Sequence, residues 1–154
     1  MTLILFVCRG NTCRSPMAEM AARSAARRAG LGDVLAFASA GVAPSAIGAP
    51  ADPRAIACVR SVGLDLTGHQ TRAVTGEILG EAHQVFALDR SVRAGLRAMA
   101  PGSEQRKIEL LMELAPELGM LDVDDPWSGT AQDYERAFAL ITAAVDALVK
   151  ARRW

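Results

Sequence analysis

Short apolar runs alternate with helix-forming segments along this chain of 154 residues. Continuous apolar runs near 3–7, 34–39, 85–88 and 108–111 predict four strands, and the first of them suits a strand buried on both faces. The segments 17–29, 53–62, 91–99 and the stretch after residue 130 predict helices. This alternation indicates an α/β fold: a single domain, 1–154, with a central four-stranded parallel sheet and helices on both faces.

Capping signals mark where several helices begin. Ser15 followed by Pro16 predicts an N-cap and a first helical turn, and Asp52 with Pro53 repeats the pattern. Residues 130–133 resemble a capping box. The last helix then places one apolar set on a single face: Tyr134, Ala137, Phe138, Ile141, Val145 and Leu148.

Charge and cysteine content narrow the classes of function. The 17 basic and 17 acidic residues cancel, so the protein has no overall field that would hold nucleic acid or an anionic membrane. The N-terminal apolar run is short and lacks a charged leader, which predicts neither a signal peptide nor a membrane span. Three cysteines without zinc or disulfide spacing predict a cytoplasmic protein. No motif reports an oligomeric state, and a monomer is expected.

The segment 8–15, Cys-Arg-Gly-Asn-Thr-Cys-Arg-Ser, carries the candidate chemistry. It lies between the first predicted strand and the first helix, where parallel α/β folds bind ligands. A loop that curls into a helix N-terminus aims backbone N–H groups at an anion, and Gly10 and Asn11 tolerate the positive φ that such a curl needs. Arg14 can grip phosphate as a fork. The same donors would favour a thiolate at Cys8, which would face phosphorus as a nucleophile.

Residues 6–19 as a whole resemble the signature of the low-molecular-weight protein tyrosine phosphatase family. The likeness continues in the family's order through Ser39-Ala40-Gly41, Asp52-Pro53-Arg54-Ala55, residues 69–72 and Asp125-Pro126-Trp127. It therefore spans essentially the whole chain.

The resemblance implies a two-step hydrolysis of phosphotyrosine in a phosphorylated protein substrate, without metal or cofactor. Cys8 would form a thiophosphate, Arg14 would clamp the phosphoryl group, and Asp125 would act first as acid and then as base. Ser15 would ease departure of the sulfur. Further family positions are expected to bind substrate (Arg9, Gly10, Asn11, Thr12, Cys13, Ser15 and Trp127) or to brace the loop (Asn11, Ser15, Ser39 and His69).

Some roles stay open at the level of sequence. Cys13 matches a cysteine that can pair with the nucleophile on oxidation, but it could equally be a packing residue. Asp125 lies in an acidic segment, 122–125, that could simply be solvated, and Asp124 is a substitute candidate for the acid. Ser128 stands where many relatives have an aromatic residue, and residues 43–47 lack one as well, so we expect an open pocket mouth.

The sequence leaves three alternatives to phosphotyrosine hydrolysis. Thr12 is found in a branch of the family that acts on phosphoarginine, which makes protein arginine phosphatase the main alternative. Arsenate reduction needs further cysteines, and none follows Cys58. A phosphate-binding module without turnover would be expected to lack the nucleophile, the clamp or the acid, and all three are present.

Overall fold

A four-stranded parallel sheet forms the centre of the protein in the computed structural model, which describes residues 1–151 and 154. The strands are β1 (Thr2–Cys8), β2 (Leu35–Gly41), β3 (Gln84–Ala87) and β4 (Ile108–Leu110), in the spatial order β2-β1-β3-β4. Strand β1 pairs along its whole length with β2, so that Cys8 lies opposite Gly41 at the carboxyl edge. The predicted sheet is confirmed, with boundaries shifted by one or two residues.

The described part of the chain has four α-helices between the strands and a fifth after the last strand: α1 (Arg14–Arg28), α2 (Pro53–Arg60), α3 (Gly76–Glu81), α4 (Arg90–Met99) and α5 (Ala131–Ala151). The sequence did not predict α3, because six residues are too few to show a helical period. A short 3₁₀ turn, Pro126–Ser128, precedes α5. Within the described residues, no helix is both long and apolar enough to cross a membrane.

Side chains of β1 alternate between two hydrophobic clusters, one on each face of the sheet. Ile4 and Phe6 pack with α1, α2 and α5, in the cluster that also buries Cys58. Leu5 and Val7 pack with α3 and α4 on the opposite face. This alternation buries β1 from Ile4 to Cys8 and confirms that helices cover both faces. The face predicted for α5 is buried, although Phe138 only partly.

The first helix begins differently from the prediction. It starts at Arg14, with Cys13 in the cap position, and Ser15 is a fully buried residue of the first turn. The predicted N-cap at Ser15 is therefore wrong, because its hydroxyl is taken up by bonds to Cys8 and Asn11. Asp52 does cap α2 as predicted, accepting from the Arg54 N–H at 2.9 Å.

Candidate active site

The loop between β1 and α1 closes tightly against the end of β2. Ala43 donates a backbone hydrogen bond to the Arg9 carbonyl at 2.9 Å, and Val42 donates to the Cys8 carbonyl at 3.0 Å. A Cβ at Gly41 would lie 2.7 Å from the Arg9 carbonyl oxygen. Only glycine allows this close approach, so Gly41 lets β2 seat the loop.

Asn11 is the centre of the loop and is completely buried. Its φ of 57° is left-handed, which turns its N–H back toward the Cys8 Sγ at 3.2 Å. Its side-chain amide donates to the Ser15 hydroxyl at 2.9 Å and to the Ser39 hydroxyl at 3.0 Å. Its Oδ1 accepts from the Arg72 N–H at 2.9 Å. One side chain thus joins the loop to α1, β2 and the segment after α2.

The carbonyl of Asn11 is held from the segment 69–72. The His69 Nε2 lies 2.7 Å from this oxygen, and the Thr71 hydroxyl donates to it at 3.3 Å. Because a carbonyl can only accept, the Nε2 of His69 carries the proton in this arrangement. The structure therefore places both Ser39 and His69 against Asn11, where the sequence expected residues that brace the loop.

Cys8 ends β1 with its sulfur buried at the base of the loop. The Ser15 hydroxyl lies 2.9 Å from the Cys8 Sγ. The Ser15 oxygen accepts from the Asn11 amide, so its proton can point at the sulfur or at the Ala40 carbonyl, 3.4 Å away, and the sulfur is the nearer of the two. The N–H groups of Gly10, Thr12, Cys13 and Arg14 have no acceptor in the described part of the chain. This arrangement suits a thiolate with an anion bound above it.

Arg14 is 2% exposed and enters the site from the first turn of α1. Its Nη1 donates to the Asp89 carboxylate and to the Val123 carbonyl, both at 2.7 Å. Its Nε has no hydrogen-bond partner among the residues that the structure describes. Burial by itself would lower the pKa of Arg14, but its interactions with Cys8 and Asp89 raise it. Because Nη1 is already engaged by Asp89 and Val123, the guanidinium edge formed by Nε and Nη2 is the part that can bind a second anion such as phosphate.

Asp125 approaches the same site from the loop before α5. One carboxylate oxygen accepts from the Trp127 N–H at 3.1 Å, which caps the 3₁₀ turn. The other lies 3.7 Å from the Arg14 Nη2. The side chain is 46% exposed, so water can reach it. Asp124 instead lines a neighbouring cleft, and Asp122 is paired with Arg90 at 3.0 Å.

These groups line one cleft of about 310 Å³. Trp127 forms one wall and is 65% exposed, while Ala43 and Ser45 line the cleft without an aromatic ring. Ser128 lines the neighbouring cleft, and the open mouth stays a prediction. No group of three or more metal-binding side chains occurs among the described residues. The remaining lining residues are Cys8, Arg9, Gly10, Thr12, Cys13, Arg14 and Asp125.

Cys13 lies beside α5. Its Sγ is 3.2 Å from the Tyr134 hydroxyl and 3.7 Å from the Thr12 hydroxyl. Burial raises the pKa of both the Cys13 thiol and the Tyr134 hydroxyl. Cys13 and Cys8 are both free thiols. Cys13 thus packs against a buried tyrosine, and its pairing with Cys8 on oxidation stays a prediction.

Sequence reasoning missed several residues that hold the site together. Asp89 caps α4 through Oδ1 and fixes Arg14 through Oδ2, and its position directly after an apolar strand was the available signal. Thr71 and Arg72 lay inside the segment that resembled the family, but no local pattern indicated their contacts. Arg54 lies in the Asp-Pro-Arg-Ala motif, which by itself indicates no role for its side chain.

Comparison with known proteins identifies similar chains. Residues 3–153 match the family model described as low molecular weight phosphotyrosine protein phosphatase. Low molecular weight protein-tyrosine phosphatase A of Mycobacterium tuberculosis is 39% identical over 147 residues, covering 94% of this chain and 88% of the relative. A protein tyrosine phosphatase of Entamoeba histolytica superposes with a TM-score of 0.93 at 26% identity, covering 97% and 95% of the two chains. The YwlE arginine phosphatase superposes with a TM-score of 0.88 at 30% identity, covering 97% and 95%.

Proposed function

This chain belongs to the low molecular weight phosphotyrosine protein phosphatase family, and we propose that it hydrolyses phosphotyrosine in proteins with Cys8 as its nucleophile. The convergence of three groups on one cleft carries this proposal. Cys8, Arg14 and Asp125 all line it, and the Arg14 Nε has no hydrogen-bond partner among the described residues. Together they supply a nucleophile, an anion clamp and a proton donor.

The first step transfers the phosphoryl group to the enzyme. The Cys8 thiolate attacks phosphorus and forms an S–P bond, while the P–O bond to the tyrosine ring breaks. The protonated Asp125 carboxyl gives its proton to the departing phenolic oxygen. The Arg14 edge and the loop N–H groups hold the three equatorial oxygens, where charge is spread in the transition state.

The second step releases phosphate and restores the enzyme. The Asp125 carboxylate takes a proton from a water molecule, whose oxygen attacks phosphorus as the S–P bond breaks. The electron pair of that bond returns to Cys8, which leaves as a thiolate. The Ser15 hydroxyl, 2.9 Å from the sulfur, stabilises this leaving group by donating a hydrogen bond.

Phosphoarginine is the second candidate substrate, favoured by one feature of the cleft. Thr12 lines it, and an arginine phosphatase is among the similar structures at 30% identity. An open mouth with Trp127 as the aromatic wall, as the sequence predicts, would also hold an aryl ring less tightly than a closed one. Phosphotyrosine stays the first candidate, because the family and its closely matching curated relatives are described by that activity.

The test compares kcat/KM on matched peptides that carry phosphotyrosine or phosphoarginine, using wild type, Cys8→Ser and Thr12→Val. We expect the phosphotyrosine peptide to react faster and Cys8→Ser to lose turnover of both. Faster turnover of phosphoarginine that falls in Thr12→Val would assign the protein to the second candidate. Full activity in Cys8→Ser would eliminate the cysteine mechanism.

We also infer that the protein works in the cytoplasm as a monomer. The three cysteines, Cys8, Cys13 and Cys58, are all buried free thiols. A reducing compartment keeps a nucleophilic thiol such as Cys8 available. Sedimentation velocity, which separates monomer from dimer, tests the oligomeric state.

A further inference from the structure

Arg54, on the first turn of α2, contacts three separate parts of the site. Its Nε and Nη2 bind the two carboxylate oxygens of Asp52 at 3.1 and 3.0 Å. Its Nη1 donates to the Gly129 carbonyl at 3.2 Å. Its guanidinium carbon lies 4.8 Å from the centre of the Tyr134 ring. A planar, forked cation is suited to making all of these contacts at once.

The acid loop, defined as residues 122–129, is held at both of its ends. At the first end, Val123 donates to the Leu88 carbonyl at 2.9 Å and accepts from Arg14 at 2.7 Å. At the second end, the Gly129 carbonyl accepts from Arg54. Asp125 and Trp127 lie between these two anchors. The position of the proton donor therefore depends on both of them.

The second anchor also leads back to the phosphate-binding loop. Asp52, the ion-pair partner of Arg54, donates its backbone N–H to the Thr12 carbonyl at 2.9 Å. Tyr134, under the guanidinium, has its hydroxyl 3.2 Å from the Cys13 Sγ. Arg54 thus joins the loop that binds phosphate to the loop that supplies the proton.

We propose that Arg54 is a positioning residue that sets the acid loop, and with it Asp125, relative to the phosphate-binding loop. The proposal rests on the function proposed above, because it concerns the proton transfer made by Asp125. Arg54 itself is not one of the residues that line the cleft. Its side chain is 39% exposed and is paired with Asp52 at 3.0 Å, as a brace between two loops requires.

A misplaced proton donor has a recognisable kinetic signature. Protonation matters most when the leaving oxygen is strongly basic, as in phenyl phosphate, and least when it is weakly basic, as in p-nitrophenyl phosphate. We expect Arg54→Ala to lower kcat/KM for phenyl phosphate by about tenfold, a part of the ~10²–10⁴-fold that a general acid supplies. The value for p-nitrophenyl phosphate should fall by no more than about twofold. Both rates come from one preparation, so loss of folded enzyme cancels in their ratio.

A double-mutant cycle with Asp125→Asn tests whether Arg54 acts through the acid. In the Asp125→Asn background, Arg54→Ala should leave the ratio of the two substrates unchanged, because the proton donor is already absent. Arg54→Lys, which keeps the charge but loses the planar fork that binds both Asp52 oxygens, should give an intermediate ratio. Arg60→Ala removes an exposed arginine from the same helix and should keep the wild-type ratio.

The same assay separates failure of this proposal from failure of the proposed function. Activity in Cys8→Ser would overturn the cysteine mechanism. A wild-type substrate ratio in Asp125→Asn would overturn the acid assignment and the role of Arg54 together. If both controls behave as expected, an unchanged ratio in Arg54→Ala, or an equal loss on both substrates, overturns the role of Arg54 alone.

Discussion

Replacing Asn11 by alanine should reveal how much of the phosphate-binding loop depends on one buried amide. The side chain makes three hydrogen bonds, to Ser15, Ser39 and the Arg72 N–H. Alanine removes all three and leaves buried polar groups unpaired. It must also adopt the φ of 57° that asparagine tolerates better.

The expected cost follows from these contacts. At about 1 kcal/mol for each lost hydrogen bond, the amide contributes about 3 kcal/mol. The left-handed backbone adds about 1 kcal/mol when alanine replaces asparagine at position 11. The free energy of unfolding should therefore fall by about 4 kcal/mol, a large part of the ~5–15 kcal/mol typical of a folded domain.

Denaturation by urea, followed by circular dichroism, measures this loss, and Asn11→Gly is the matched control. Glycine loses the same hydrogen bonds but adopts positive φ freely, so it should be about 1 kcal/mol more stable than alanine at position 11. Both variants should lose most of their kcat/KM, because the N–H of residue 11 is no longer held toward the Cys8 sulfur. The activity is measured under conditions where each variant is folded.

Two results would refute this reasoning. A loss below about 1 kcal/mol in Asn11→Ala would mean that the groups bonded to the amide find other hydrogen-bond partners, and that the amide does not hold the loop. Equal stability of the alanine and glycine variants would mean that the left-handed backbone at Asn11 carries no cost.

Three further predictions concern charged groups around the site. Asp89→Asn should keep the cap on α4 but remove the negative charge that faces buried Arg14. Denaturation experiments should then show a free energy of unfolding lower by about 3 kcal/mol, and kcat/KM should fall. Arg9 is exposed at the cleft, so Arg9→Ala should raise KM about two- to fivefold for phosphopeptides with an acidic neighbour, but not for neutral ones. Hydrogen bonds from Arg54 hold the pKa of Asp52 below its ordinary value of 3.8, so this pair stabilises the fold above that pH and the contribution is lost as the pH falls through the lowered pKa. Denaturation at a series of pH values should accordingly show Asp52→Asn less stable than wild type at neutral pH, with the difference shrinking in acid.

The sequence by itself determined the features that depend on neighbours along the chain. The apolar run 3–7 predicted β1, and the residues after it predicted a phosphate-binding loop, because a strand, a flexible curl and a helix start are all local patterns. Asp52 was recognised as a cap for the same reason. The resemblance to the family then pointed to Asp125, which the structure places at the cleft.

Tertiary structure alone decided which distant side chains complete the site. Arg14 meets Asp89 across 75 positions of the chain, and Cys13 meets Tyr134 across 121. The predicted N-cap at Ser15 is wrong because of the folded loop as well. The local pattern of Ser15 suits a helix start, but in the fold its hydroxyl is bonded to Asn11 and Cys8. Local propensity is a weak preference, and buried hydrogen bonds override it. Only the packing of parallel strands brings distant partners such as Arg14 and Asp89 to one edge of the sheet.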